Sequence, residues 1–166
     1  AGIAVQAMLH GKDVLADKPM VTSLAQLDEI ERTQKKTGRM WTFFTNEHYD
    51  RRCTVRAGEL VAQGAIGRVV QTTGFGPHFV RERSKRPAWF FDRCTSGGIL
   101  GDLGPHQIEQ FLFFTGSTTA EVVHAQIGNF ANQDLPEFED YGEVSLVGNS
   151  GVGWFRVDWY TPAGLG

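Results

Sequence analysis

Two short segments bring together residue types that can hold and deprotonate an alcohol. The first is Asp17-Lys18-Pro19, which directly follows the apolar run Val14-Leu15-Ala16. If that run is a strand of an open α/β sheet, the turn after it lies at the carboxyl end, where such sheets bind ligands. A lysine there can hold a cofactor or substrate oxygen, and a proline fixes the turn and permits a cis bond. Taken alone, the pair describes an ordinary loop lysine equally well. The second segment runs from Ser96-Gly97-Gly98 through Asp102 and Pro105-His106 to Glu109. With Asp102 as a helix N-cap, His106 falls one turn later on the same face. The carboxylate is favoured in its ionised form at a helix N-terminus and can orient the histidine or accept from a substrate hydroxyl. Histidine titrates near neutrality and can take a hydroxyl proton. Pro105 suits a first helical turn, whose N–H groups have no partner inside the helix. The glycines permit a tight turn or close backbone approach before it. A capped helix with a structural histidine remains the other reading of this segment.

The elements that must position these residues follow from patterning. Residues 1–10 read as a helix with Ile3, Ala7, Met8 and His10 near one another, stopped by Gly11. Val14–Ala16 reads as a short buried strand. Ser23 starts the next helix, in a capping box with Gln26, and Gly38 ends it. Met40–Thr45 is strand-like. Helix, strand, helix, strand is the alternation of a parallel α/β sheet. The pattern then changes. A helix over 51–63 leads through a turn from Gly64 to Gly67 into a strand over Val69–Phe75, and 77–96 looks irregular. A helix from about Leu103 to Phe114 precedes strands at Ala120–Ile127, Tyr141–Val147 and Val152–Trp159. The last two flank Gly148-Asn149-Ser150-Gly151, a loop suited to a hairpin. The expectation is two units: 1–48, the C-terminal part of a parallel α/β domain, and 49–166, an incomplete α+β domain with a predominantly antiparallel sheet.

Bulk properties narrow the function classes. The 166 residues are 41% hydrophobic and 21% charged, with net charge −3, a folding composition with interspersed charges. Arg81-Glu82-Arg83-Ser84-Lys85-Arg86 is the one basic run and reads as a solvated loop, so no nucleic-acid partner is expected. Phe111-Leu112-Phe113-Phe114, an apolar run that no other exceeds, is too short for a membrane span. Cys53 and Cys94 stand alone and read as reduced thiols. The histidines have no metal-ligand spacing, so no metal is expected.

The stretch Ala7-Met8-Leu9-His10-Gly11-Lys12-Asp13-Val14-Leu15-Ala16-Asp17-Lys18-Pro19-Met20 resembles a helix, Gly-Lys, strand and Glu-Lys-Pro signature. Gly97-Gly98-Ile99-Leu100-Gly101-Asp102-Leu103-Gly104-Pro105-His106 resembles a Gly-Gly-x-x-Leu-x-Asp-x-Gly-x-His motif. Both belong to the glucose-fructose oxidoreductase and inositol dehydrogenase (Gfo/Idh/MocA-like) family, and their order and distance fit over essentially the whole chain. The resemblance implies that residues 1–48 are the tail of a Rossmann-like dinucleotide-binding domain and 49–166 a substrate and oligomerisation domain. It implies an NAD- or NADP-dependent dehydrogenase acting on a secondary alcohol of a sugar, cyclitol or related polyol. Lys18 would contact the nicotinamide ribose and the substrate. Asp17 and Pro19 would complete the cofactor contacts, Asp102 would bind or orient the substrate, and His106 would transfer the proton. A homo-oligomer formed through the C-terminal sheet and a cytoplasmic location are the matching expectations. The sequence departs from the pattern at Asp17, where Glu is usual. It also departs at Ser96 and Ile99 within the glycine run, and at Glu109 where Asp is common. The Gly-x-Gly-x-x-Gly loop, expected before residue 1, supplies the pyrophosphate site and the choice between NAD and NADP.

Other candidates are weaker. The family places active-site residues near the turn after the strand at Met40, which nominates His48, although a solvent loop fits that turn as well. Trp89 and Asp92 can wall a sugar site, and equally a core aromatic and a helix cap can stand there, the core being preferred for Phe90. Arg81, Arg83 and Arg86 read as exposed, an anionic substrate being their other use. Against the dehydrogenase stand a cofactor-free binding or assembly module that kept the fold, and a hydrolase using Asp102 and His106. The hydrolase lacks a nucleophile in any elbow-like motif.

Overall fold

The computed structural model describes residues 1–45, 49, 51–80 and 83–162. The first elements are α1 (Gly2–Leu9), β1 (Val14–Ala16), α2 (Leu24–Thr37) and β2 (Trp41–Phe43). β1 and β2 pair in parallel, Val14 opposite Trp41 and Ala16 opposite Phe43. Ser23 caps α2 by accepting the Gln26 N–H, while the Gln26 side chain accepts from the N–H of Thr22, one residue before the cap. Gly38 ends the helix in the left-handed conformation, φ 65°. Val5 and Met8 of α1 pack on Ile30 of α2, with Val14, Val21 and Trp41 around them.

This packing corrects two expectations. The buried face of α1 is Val5 and Met8, three residues apart; Ile3 is 89% exposed and His10 hydrogen-bonds its own helix at the Gln6 carbonyl. β1 is only half buried, because alternate side chains leave opposite faces of a strand and Leu15 points away from α1 and α2, 67% exposed.

Beyond these lie α3 (Arg52–Ala62), β3 (Gln71–Pro77) and two 3₁₀ turns, Arg83–Lys85 and Ala88–Phe91. Then come α4 (Arg93–Ser96), α5 (Gly98–Asp102), α6 (Gly104–Thr115), β4 (Ala120–Gly128), β5 (Tyr141–Gly148) and β6 (Val152–Asp158). The strands form one sheet in the order β3-β6-β5-β4. The β4–β5 and β5–β6 pairings are antiparallel and the β3–β6 pairing is parallel, so the sheet is mixed. The hairpin expected between β5 and β6 closes on the Gly148 N–H to Gly151 carbonyl bond, 2.8 Å.

The sheet buries one face. Val144, Leu146, Phe155 and Val157 point to α5 and α6, where Ile99, Leu103 and Phe111 meet them. Phe90, Phe138 and Trp159 extend this core to one side, as the sequence reading of Phe90 as a core residue requires. Each fully buried Leu or Phe contributes about 1.5–3 kcal/mol, and this core holds most of the buried apolar side chains among the described residues. Gly142 lets α5 approach the sheet. A Cβ there would stand 2.7 Å from Leu100 Cδ2 and 2.9 Å from Ile99 Cγ2. The position of α5, and so of Asp102 at its end, therefore depends on a missing side chain in β5.

Candidate active site

Lys18 leaves the end of β1 beside Asp17, whose carboxylate accepts the Lys18 backbone N–H at 2.7 Å. The Lys18–Pro19 peptide bond is cis. Lys18 Nζ reaches Asp102 Oδ1 at 2.9 Å, with the two side chains 29% and 18% exposed. The two segments singled out by residue type alone thus meet as an ion pair. The pair is shielded enough to be rigid and open enough to be reached from solvent.

Both residues line a cavity of about 1110 Å³, together with Asp17, Pro19, Trp89 and Trp159. His78, Lys85, Arg86, Glu137 and Glu139 also face it. Sequence reasoning missed Glu139, which accepts the Ile99 N–H at 3.1 Å and lies 3.4 Å from Arg93 Nε. Gly98 makes room for it: φ is 69°, and a Cβ there would stand 2.1 Å from Glu139 Oε2. The Gly97-Gly98 pair signalled a close approach, but nothing in the sequence named the group that approaches.

Three positions differ from expectation. Asp102 is the last residue of α5 and not the N-cap of α6; Leu103 fills that place in a right-handed helical conformation, φ −104°, ψ −25°. The chain therefore runs nearly as one helix through 98–115, and His106 still follows Asp102 by one turn. His106 is half buried and does not line the cavity that Lys18 and Asp102 share. Asp92 caps α4, its carboxylate accepting the Cys94 N–H at 2.8 Å, and it too is absent from the cavity wall. A short helix needs its first N–H groups satisfied, and that use holds the side chain. Trp89, half exposed, does line the cavity. His48 lies outside the described residues.

The cavity's far wall is braced by a buried carboxylate. Asp140 accepts from the N–H groups of Phe130 and Ala131, from Asn132 Nδ2 and from the Tyr160 hydroxyl, all within 2.8–2.9 Å. Burial pushes its pKa up, but the four donors together hold it below the ordinary value. Burial and the bond to Asp140 raise the Tyr160 phenol well above its ordinary range. Glu139 is the neighbour of Asp140 in sequence, so this network anchors the strand end that presents Glu139 to Gly98. Among the described residues no cluster of three metal-ligating side chains occurs, and no helix is long and apolar enough to cross a membrane.

Residues 54–165 match the GFO/IDH/MocA C-terminal domain. The chain belongs to the GFO/IDH/MocA family. The uncharacterized oxidoreductase YdgJ of Escherichia coli (strain K12) is 33% identical over 115 residues, which cover 69% of this chain and 32% of YdgJ. The structure of a protein assigned as an oxidoreductase from Erwinia carotovora atroseptica SCRI1043 is 47% identical with a TM-score of 0.93, covering 99% of this chain and 49% of that one. GenD2, from gentamicin A biosynthesis and solved in complex with NAD, is 27% identical with a TM-score of 0.83, covering 98% of this chain and 46% of GenD2. This GFO/IDH/MocA chain thus spans about a third of YdgJ and about half of the two solved relatives.

Proposed function

We propose that the full-length protein is an NAD(P)-dependent oxidoreductase that interconverts a secondary alcohol and a ketone on a sugar, cyclitol or related polyol. The observation that carries this reading is the 2.9 Å ion pair between Lys18 and Asp102 inside a cavity large enough for a nicotinamide ring and a sugar ring together. That the relatives are oxidoreductases, one of them solved with NAD, supports it.

The residues present fit the nicotinamide end of such a cofactor. Asp17, Lys18 and Pro19 line the cavity at the carboxyl end of the parallel strand β1, the place where open α/β sheets receive dinucleotides. Bound nicotinamide supplies the hydride acceptor or donor. Lys18 donates to the carbinol oxygen and stabilises the charge that grows on it as its proton leaves. Asp102 fixes the Lys18 ammonium and can accept from a second substrate hydroxyl. His106, one helical turn beyond Asp102, is the proposed acceptor of the carbinol proton. Trp89 offers an apolar face to the ring of the polyol.

The exposed face of the mixed sheet is the proposed surface for self-association. Phe75 packs edge-on against Trp154 there at 5.5 Å, and Val147 and Val152 stand 45% exposed beside them.

The test follows nicotinamide absorbance in the full-length protein across a panel of sugars and cyclitols, beside a His106→Ala variant. Turnover with at least one polyol, lost in the variant, is the expected result. A full-length protein that binds neither NAD(H) nor NADP(H) overturns the reading.

A further inference from the structure

Among the described charges around the cavity, Arg86 is held in an unusual way. It follows the 3₁₀ turn Arg83–Lys85, and its guanidinium carbon stands 4.3 Å from the centroid of the Phe90 ring and 5.9 Å from that of Trp159. Both rings are 8% exposed, so the guanidinium lies on a fixed aromatic floor that opens on the cavity. Its Nε is shielded from solvent and has no acceptor among the described residues. No ion pair to Arg86 occurs among them either.

Of the neighbouring charges, Lys18, Arg83, Arg93, Glu139 and Asp17 are engaged. Lys18 is on Asp102, Arg83 hydrogen-bonds Asp134 and Asn132, and Arg93 leans to Glu139. Glu139 also holds the Ile99 N–H, and Asp17 accepts the Lys18 N–H. Glu137 is the acid at the exposed rim. The Nε is closed to the cavity as it is to solvent, so an acceptor arriving there meets the terminal guanidinium nitrogens. The geometric partner of a flat, forked donor is a carboxylate or phosphate, bound through two parallel hydrogen bonds. Neutral hydroxyls satisfy one N–H at a time.

We propose that Arg86 is an anion-recognition residue of this cavity, and that the substrate is an acidic polyol: a sugar or cyclitol carrying a carboxylate or phosphate in addition to the carbinol that is oxidised. This rests on the dehydrogenase reading above and narrows its substrate class. The ion pair of Lys18 with Asp102 serves the carbinol; Arg86 anchors the charged end and so fixes which hydroxyl meets Lys18. The sequence left an anionic substrate as the second use of Arg86 behind an exposed position, and the fold favours that use by laying the side chain on Phe90 beside the cavity.

The test measures binding by calorimetry to the full-length protein in the presence of NADH. The ligands are matched sets: D-glucose, D-glucuronate and D-glucose 6-phosphate; D-galactose and D-galacturonate; myo-inositol and an inositol monophosphate. In at least one set the anionic member binds roughly tenfold or more tightly than the neutral one, and Arg86→Met abolishes that ratio. Arg86→Lys, which keeps the charge and gives up the fork, retains only part of it. Whether acids or phosphates show the ratio decides the source of the anion. Circular dichroism checks that each variant is folded, and Arg86→Lys carries the test should Arg86→Met not fold. Equal affinity within every set overturns the proposal. So does an anionic preference that survives both substitutions, or NADH binding with no member of any set bound. Failure of the unaltered protein to bind nicotinamide cofactor overturns the dehydrogenase reading itself, a separate result.

Discussion

The ammonium of Lys18, at the end of β1, lies 2.9 Å from the carboxylate of Asp102, at the end of α5. Each is held by its own element, so the pair reports how the first sheet's edge is set against α5. If Lys18 polarises the carbinol and Asp102 holds Lys18, removing either breaks the same device. Lys18→Met and Asp102→Asn each lower kcat of the full-length protein by about 10²–10⁴-fold. The double variant falls little further, because the two losses are not independent. Steady-state kinetics of the three proteins decide it; additive losses would mean that the residues act separately.

His106 provides a different readout. As the proposed acceptor of the carbinol proton it would act in the transition state more than in binding. His106→Ala therefore lowers kcat about 10²–10⁴-fold while KM changes little. A deuterium effect from substrate labelled at the carbinol carbon should rise toward its full value in the variant, as the chemical step becomes limiting. An unchanged kcat removes His106 from the mechanism.

The sequence carried the local part of this site well. Asp17-Lys18-Pro19 followed a strand as its neighbours required, and the glycine pair preceded a helix. The hairpin loop between β5 and β6 and the left-handed Gly38 were legible because turn chemistry is local. The misplaced cap at Asp102 was a near miss: Leu103 is helical enough to join α5 to α6, and spacing alone cannot tell a cap from a kink. Asp92 takes the helix cap, one of the two uses open to any carboxylate before a short helix. What stayed hidden were contacts between segments distant in sequence. Glu139 under Gly98, Arg86 on Phe90 and the parallel pairing of β3 with β6 depend on tertiary packing, which periodicity does not encode.

Gly98 tests the link between the glycine motif and Glu139. Gly98→Ala forces a Cβ into a left-handed backbone and against Glu139 Oε2, which must then leave the Ile99 N–H. Gly116→Ala is the control, since φ there is 67° and open space surrounds the new Cβ. Gly116→Ala costs about 1–2 kcal/mol of stability from backbone strain, and Gly98→Ala costs about 1–3 kcal/mol more. Denaturant unfolding of the full-length variants measures both. Equal costs would show that the Glu139 contact contributes nothing.

The open face of the sheet carries another consequence. Trp154 and Phe75 contact each other there, and a charge placed between them opposes burial of that face against a second copy. Trp154→Glu shifts the full-length protein toward smaller assemblies in light scattering coupled to size exclusion, while far-UV circular dichroism is retained. A mass identical to that of the unaltered protein at every concentration assigns self-association to another surface.

The bond between Tyr160 and Asp140 should make stability depend on pH at both ends. Asp140 has a lowered pKa in the fold, so its contribution is complete above the ordinary carboxyl value of 3.8 and is lost as pH falls through the lower folded value. Tyr160 has a raised pKa, so its contribution is complete below the ordinary phenol value of 10.0 and is lost as pH rises toward the higher folded value. Tyr160→Phe removes one of the four bonds to a buried carboxylate and costs about 1.5–3 kcal/mol at neutral pH. The gap between the unaltered protein and the variant stays level from about pH 5 to 9. It closes as pH falls below the ordinary carboxyl value of 3.8 toward the lower folded value of Asp140, and as pH rises above about 10, where Tyr160 ionises more readily in the unfolded chain. Denaturant unfolding across this range gives the curve. A gap that is flat into alkali would mean that the hydroxyl of Tyr160 is not held by Asp140 in solution, and the brace behind Glu139 would have to be sought in the N–H groups of Phe130 and Ala131 alone.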